Sequence, residues 1–243
     1  MDTSERPHLS VIIPAFNESE RIVSTLDEAV AYLNAQTYSW EILVVDDGSA
    51  DDTAGLVSHA AQNTDGIRLL RREHFGKGWA VRAGMLEARG RYRFMCDADL
   101  AMPIEWLDRF MEKMDAGVDI VIGSREIAGA RRLDEPMYRH VMGRVFNWVI
   151  RAVAVRGFQD TQCGFKCFSE DAANRLFSRQ YTKRMGFDVE ILYLALKMGY
   201  SVVEMPVEWH YQTGSKVRPG VDTVDMVKDT FLIRLRDILG KYR

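Results

Sequence analysis

The chain has 243 residues, 47% of them hydrophobic and 28% charged, with a formal net charge of −3. That length and apolar share can build one large core, or a core with a small appended lobe. So small a net charge argues against a protein whose whole surface binds nucleic acid.

The three cysteines, Cys96, Cys163 and Cys167, lack zinc-ligand spacing and read as reduced thiols of a cytosolic compartment. Met1–Pro7 is polar and charged rather than a hydrophobic signal. No run of about 18 apolar residues is present to span a bilayer, so any membrane contact is expected to be peripheral, on the cytoplasmic face.

In chain order, Leu9–Ile13, Trp40–Val45, Ile67–Leu70, Tyr92–Cys96 and Asp119–Ile122 read as short apolar strands. Helical periodicity covers Glu18–Ala35, Thr53–Gln62, Gly78–Ala88 and Pro103–Met114, with Pro103 where a helix commonly starts. This alternation predicts an α/β fold, a mostly parallel central sheet with helices on both faces. The second half is less regular. It reads as a helix over Pro136–Val155, a loop through Asp160–Lys166, short helices at Glu170–Phe177 and Phe187–Met198, a strand at Ser201–Pro206 and a last helix over Asp222–Leu239. No repeat or Pro/Gly-rich linker marks a boundary, so one domain is expected over 1–243.

In such a sheet, ligands bind at the carboxyl ends of the strands. Three of these ends are conspicuously polar: Pro14-Ala-Phe-Asn-Glu18, Asp46-Asp-Gly-Ser49 and Asp97-Ala-Asp99. Residues i and i+2 of an extended chain point the same way, so Asp97 and Asp99 can aim both carboxylates at one site and hold a hard divalent cation against nucleotide phosphates. Oxygen ligands without a His/Cys cluster suit Mg²⁺ or Mn²⁺. A lone Asp-X-Asp reads equally as a solvated turn, and it is the convergence of acidic ends on one edge that favours a site. Asp46 and Asp47 point oppositely, so only one is expected to reach a ligand. The alternative is a turn at Asp47-Gly-Ser49, with Asp51 or Asp52 capping the next helix. Gly76-Lys-Gly78 lacks the rest of a P-loop, and no Gly-X-Gly-X-X-Gly follows the first strand, which argues against a nicotinamide dehydrogenase.

Val11-Ile-Ile-Pro-Ala-Phe-Asn-Glu18, Val44-Val-Asp-Asp-Gly-Ser-Ala-Asp-Asp-Thr53, Gly76-Lys-Gly-Trp-Ala80, Asp97-Ala-Asp99 and Gly123-Ser-Arg125 resemble, in order, the motifs of family 2 glycosyltransferases of the GT-A fold. Asp160-Thr-Gln-Cys-Gly-Phe-Lys166, Phe187-Asp-Val-Glu190 and Gly214-Ser-Lys216 look most like those of dolichyl-phosphate β-glucosyltransferases, with polyprenyl-phosphate mannosyltransferases close behind. The resemblance implies inverting transfer of a hexose, glucose from UDP-glucose or mannose from GDP-mannose, to a polyprenyl monophosphate. It implies a nucleotide-sugar half at about 8–124 and an acceptor half at about 125–243.

In the donor half, Pro14, Ala15, Glu18, Asp46 or Asp47, Lys77, Asp97, Ala98 and Asp99 are the expected nucleotide-sugar contacts, with the metal on Asp97 and Asp99. Arg125, Lys166 and Lys216 are the candidates for phosphate and acceptor. Asp160 is the expected catalytic residue, positioning the acceptor or serving as base, with Asp188 and Glu190 as alternatives. A phosphate monoester is already ionised near neutral pH, so its oxygen can attack directly and the demand shifts to holding two anions together.

The Pro136–Val155 stretch places Val141, Met142, Val145, Phe146, Val149 and Val153 on one face and His140, Arg144, Asn147 and Arg151 opposite. From Arg125 to Arg156 there are seven arginines against three acids. A basic amphipathic helix with Trp148 at its edge suits a membrane interface, and a core helix is the alternative. A membrane-protein partner or homo-oligomer stays open, as do transfer to a soluble hydroxyl and a non-catalytic nucleotide-sugar or lipid-binding role.

Overall fold

The computed structural model describes residues 6–133, 150, 154–155, 157–211 and 221–242. The strands in chain order are β1 (Leu9–Ala15), β2 (Trp40–Asp46), β3 (Ile67–Arg71), β4 (Tyr92–Met95), β5 (Ile120–Ser124), β6 (Arg131–Leu133), β7 (Lys166–Ser169), β8 (Val202–Pro206) and β9 (Glu208–His210). The helices are α1 (Ile22–Asn34), α2 (Thr53–Asn63), α3 (Lys77–Glu87), α4 (Leu107–Asp115, after a 3-10 turn at Ile104–Trp106), α5 (Glu170–Ser178), α6 (Phe187–Lys197) and α7 (Val221–Ile238).

Seven strands form one sheet in the order β3-β2-β1-β4-β7-β5-β8, and β6 pairs with β9 apart from it. Every residue of β1 is buried, as a central strand covered on both faces requires. Alternation divides its side chains between two cores. Leu9, Val11 and Ile13 pack with Ile22, Leu26 and Leu33 of α1 and with Leu107, Phe110 and Met114 of α4. Ile12 faces the other way, toward Ala80, Val81 and Met85 of α3, Leu176 of α5 and Ile191 of α6. Each fully buried Leu, Ile or Phe contributes about 1.5–3 kcal/mol relative to exposure, so helices on both faces are needed to realise the sheet's apolar content.

β1 pairs in parallel with β2 on one side and β4 on the other. The chain therefore leaves β1 toward β3 and later returns across it to β4, which makes the carboxyl ends of β1 and β4 the switch point where open α/β sheets form a ligand crevice.

The structure departs from the sequence expectation in several places. β7 lies antiparallel between β4 and β5, where sequence reasoning placed the end of a loop. Its four residues, Lys166-Cys-Phe-Ser169, open on a lysine and are too short to show a period, so their extended state comes from the strands on either side. β6 and β9, three residues each, escape detection for the same reason. α1 starts at Ile22 rather than Glu18, because Asn17 takes a left-handed φ of 54° and the turn around it bonds to the β2–α2 loop.

The expected helix over Pro136–Val155 falls almost wholly outside the described residues; of that stretch Ile150 and Val155 are buried in the core and Ala154 packs against it. Cys96, Cys163 and Cys167 are all buried and free. Among the described residues no helix is long and apolar enough to cross a membrane.

α3 approaches the sheet closely at Gly84, where a Cβ would stand 2.5 Å from Ile12 Cγ2 and 2.8 Å from Val45 Cγ2. Alanine is the better helix former by about 1 kcal/mol, yet Gly84→Ala is expected to lower the unfolding free energy by about 1–2 kcal/mol through overpacking. Urea unfolding reads the sign, and a gain in stability would show that the sheet yields at no cost.

Candidate functional site

β4 stops at Met95, and the next N–H, that of Cys96, still bonds to Ile12 O at 3.1 Å, so the chain leaves the sheet at Asp97. Ala98 is buried, with its carbonyl accepting from Thr25 Oγ1 at 2.6 Å. Asp97 and Asp99 flank it, and Leu100 turns the chain with a left-handed φ of 41°, a conformation that costs a non-glycine residue energy and is concentrated at functional sites. Asp99 Oδ1 accepts the Ala101 N–H at 3.1 Å. Burial raises the Asp99 pKa, and the neighbouring Asp97 carboxylate raises it further, the signature of two like charges held close.

Opposite stands Lys77, first residue of α3, with Nζ 2.5 Å from Asp97 Oδ1. Burial would lower the Lys77 pKa, but Asp97 and Asp188 outweigh it and hold the ammonium charged. From the other side, a Cβ at Gly164 would fall 2.3 Å from Asp97 Oδ2. Glycine at 164 is what lets the carboxylate lie against the loop that leads into β7.

Pro14 and Ala15 end β1 in register with Val45 and Asp46. Beyond them the first two strand ends are laced together. Asn17 N donates to Ser49 Oγ at 2.8 Å, Ala50 N to Asn17 Oδ1 at 2.8 Å, Glu18 N to Thr53 Oγ1 at 2.8 Å and Ser19 N to Asp51 Oδ2 at 3.0 Å. Asp51 rather than Asp52 accepts at the start of α2, from Thr53 N at 3.0 Å.

Asp46 is fully buried. Its Oδ1 accepts from Ser49 N at 3.1 Å, while Oδ2 is sealed from solvent without a hydrogen bond, 3.7 Å from Arg71 Nε. Asp47 points the other way and organises the loop before α3. Oδ1 accepts from Phe75 N at 3.0 Å and Oδ2 from Gly76 N at 2.9 Å, with His74 Nδ1 2.9 Å from Oδ2. The His74 ring stacks on Phe16, with centroids 4.1 Å apart. Nothing in the spacing of Phe16 and His74 announced that stack. Glu18, one of the expected nucleotide-sugar contacts, forms an ion pair with Arg21 at 3.0 Å.

The remaining candidates are placed otherwise than a free base and free phosphate ligands would be. Asp160 is completely buried and takes a two-pronged contact from Arg125, Nε to Oδ2 at 2.7 Å and Nη2 to Oδ1 at 3.0 Å. The backbone N–H groups of Arg125 and Gln162 also donate to it, at 3.1 and 3.0 Å. Burial opposes the charge, but Arg125 overrides it and holds the Asp160 pKa well below the usual carboxylate range, the reverse of what a general base near neutral pH requires.

Lys166 is buried rather than open to an acceptor, its Nζ donating to Asp188 Oδ1 at 2.5 Å and to Cys163 O at 2.6 Å. Burial raises the Asp188 pKa, while Lys166 and then Lys77 pull it back. Glu190 is buried under the backbone N–H groups of Tyr181 and Thr182 at 3.1 and 2.7 Å. Arg125 lies over the Trp209 ring with Arg132 close by, at 5.7 and 5.9 Å from its centroid, and His210 N donates to Ala101 O at 2.7 Å. This ties β9 to the turn after Asp99. Lys216 lies outside the described residues.

Asp97, Asp99 and Lys77 thus meet at the switch point, with Asp47 at the neighbouring strand end, while Asp160 and Asp188 are each given to a buried or half-buried cation. Among the described residues no three His, Cys, Asp or Glu side chains gather in a group that could hold a metal ion. A cation at Asp97 and Asp99 would therefore complete its coordination from a ligand and water.

Residues 10–186 match the model of glycosyl transferase family 2. The dolichyl-phosphate beta-glucosyltransferase of Dictyostelium discoideum is 39% identical over 252 residues, covering 97% of this chain and 76% of that protein. Its counterpart from Drosophila melanogaster is 36% identical over 262 residues, covering 100% and 79%. In fold, the chain is similar to glucosyl-3-phosphoglycerate synthase from Mycobacterium tuberculosis, solved with Mn²⁺, uridine diphosphate and phosphoglyceric acid. The TM-score is 0.67 at 18% identity, covering 97% of this chain and 78% of that one. With the family match spanning most of the sequence and relatives of this identity along its whole length, the chain belongs to glycosyl transferase family 2.

Proposed function

We propose that this protein transfers glucose from UDP-glucose to the phosphate of a dolichyl or other polyprenyl monophosphate, with inversion at the anomeric carbon. The observation that carries the reading is the whole-length kinship with relatives named dolichyl-phosphate beta-glucosyltransferase. The acceptor phosphate oxygen attacks C1 of the glucose, the bond from C1 to the donor's diphosphate breaks, and UDP leaves with the electron pair.

Asp97 and Asp99 are the residues that would hold a divalent cation. Two hard oxygen donors, with the Asp99 pKa raised by burial and then by the neighbouring Asp97 charge, fit such an ion, and the fold neighbour was solved with Mn²⁺. When bound, the ion supplies Lewis-acid neutralisation of the leaving diphosphate. Lys77, held charged beside Asp97, adds a second positive group at the same place. Of Asp46 and Asp47, the second is the one assigned to the base end. Asp46 Oδ2 has no access from solvent, whereas the Asp47 side chain keeps 4% exposure and its Oδ1 takes a single N–H, that of Phe75. Pro14, Ala15 and Ala98 line this donor side with backbone.

All three carboxylates first considered for the catalytic role, Asp160, Asp188 and Glu190, face cations. That favours an acceptor that brings its own charge over a neutral hydroxyl, which needs a base to remove its proton. Asp160 and Asp188 are accordingly positioning residues, fixing Arg125 and Lys166.

The direct test is incubation of the purified protein with Mg²⁺ or Mn²⁺, radiolabelled UDP-glucose or GDP-mannose, and a polyprenyl phosphate, followed by counting label in the lipid phase. Glucose transfer is expected, and a folded protein that moves no sugar from either donor would sink the reading. EDTA should abolish transfer and added Mn²⁺ should restore it. Asp97→Asn should lower kcat by about two orders of magnitude, as expected when an electrostatic contact to the leaving group is lost.

The Asp160–Arg125 pair also predicts a pH dependence of stability. Because the folded pKa lies below the unfolded one, the unfolded chain binds the proton first. The pair's contribution is whole above about pH 5 and is lost as pH falls below about 4 toward the folded value. Asp160→Asn leaves Arg125 without its carboxylate and should cost about 3 kcal/mol at neutral pH. That deficit should shrink at about pH 3 in urea unfolding, and a deficit that stayed constant would exclude the pair as its source.

A further inference from the structure

α7 is apolar on both sides. Its inward face, Met226, Thr230 and Ile233, is buried against the domain. Its outward face repeats at i, i+7, i+11 and i+14 through Val224, Phe231, Leu235 and Ile238, with Leu232 and Leu239 beside them, all exposed and Ile238 to 78%. A surface helix ordinarily turns charge outward, and a contiguous apolar face of this kind marks an interaction site.

Two observations say what covers it. The first is charge. Among the described side chains of α7 and its margins, six cations, Lys183, Arg184, Lys228, Arg234, Arg236 and Lys241, stand against three acids, Asp225, Asp229 and Asp237, and Asp225 is bracketed by Arg184 at 3.4 Å and Lys228 at 3.7 Å. The patch is therefore positive. The second is continuity with the site. Lys183 O accepts the Trp79 N–H at 2.9 Å, two residues beyond Lys77. Lys183 Nζ sits 4.7 Å from the centre of the Phe75 ring, which is 42% exposed, and 5.3 Å from that of Trp79. Aromatic rings and cations at the margin of an apolar helix face are the composition of an interfacial segment on anionic lipid.

We propose that α7, with Phe75 and Lys183 at its margin, seats the protein on an anionic lipid surface and so brings the acceptor's headgroup to the Lys77–Asp97 site. This rests on the lipid-phosphate reading above. A second copy of the chain docking through the same face would bring its own positive patch against this one, because a two-fold contact opposes like surfaces.

The test is sedimentation of the full chain with vesicles of phosphatidylcholine containing phosphatidylglycerol, compared with phosphatidylcholine alone. Wild-type protein should bind the anionic vesicles. The double variant Phe231→Glu/Leu235→Glu should bind them about tenfold or more weakly, having lost two apolar anchors and gained two acids. Circular dichroism should show both proteins folded. Lys228→Gln, a milder surface change, should weaken binding several-fold and flatten its salt dependence toward that of neutral vesicles.

Glucose transfer to a short, water-soluble prenyl phosphate should be equal in wild type and double variant, while transfer to dolichyl phosphate embedded in vesicles should fall with vesicle binding. Transfer to the short acceptor thus judges the activity and sedimentation judges the surface. Wild-type protein that ignores anionic vesicles, variants that bind as wild type does, or a wild-type dimer that the double variant converts to monomer would each overturn the proposal.

Discussion

β4 is gripped along its length by β1 in parallel and by β7 in antiparallel, and this pairing decides where the chain is released from the sheet. The last bond to β1, from Cys96 N, fixes the release point at Asp97. The next three residues are then held by contacts from outside the strand. Thr25 of α1 takes the Ala98 carbonyl, Ala101 N takes Asp99, and Gly164 leaves room for Asp97. A carboxylate pair carried on a loose loop would lose much of its value in charge stabilisation. Donors fixed before the reaction cost no reorganisation during it.

The buried charges around this point form a graded set. Asp97 pairs with Lys77, and Asp188, one layer further in, pairs with Lys166. Desolvation by itself would neutralise these groups. Each retains a partner of opposite sign, which is the condition under which buried ions persist. Lys77 and Asp97 keep about a quarter of their side-chain surface exposed, while Lys166 and Asp188 are almost sealed. In the proposed reading this gradient separates work: the outer pair meets the donor diphosphate and the inner pair fixes the floor beneath it. The Asp160–Arg125 contact braces the far side, where Arg125 and Arg132 gather around Trp209.

Much of the donor side was legible in the sequence because it rests on period and position. Apolar runs broken at Asp46 and Asp97 predict strands that end in acids, and helix periods between them predict parallel pairing. Asp97 and Asp99 stand near one another, burial and then the Asp97 charge raising the Asp99 pKa, although they sit in a turn after β4 rather than on an extended strand, and the opposition of Asp46 and Asp47 holds in the structure. What escaped was every feature made by pairing across distance. Lys166 looked like a phosphate ligand because a lysine in a loop is normally exposed. β7 exists only through its neighbours, and they bury that lysine beside Asp188. Asp160 looked like a base because a lone aspartate in a glycine-containing loop carries no mark of the arginine 35 positions earlier that saturates it.

By itself, then, the sequence determined the class of fold and the edge of the sheet that carries polar chemistry. Both follow from local backbone periodicity and side-chain type. Tertiary structure alone decided which charges are spent on one another, that both Asp46 and Asp47 are buried, and that α7 turns an apolar face outward. Ion pairing and burial depend on which distant segments are brought together, and no property of a single segment encodes its neighbours.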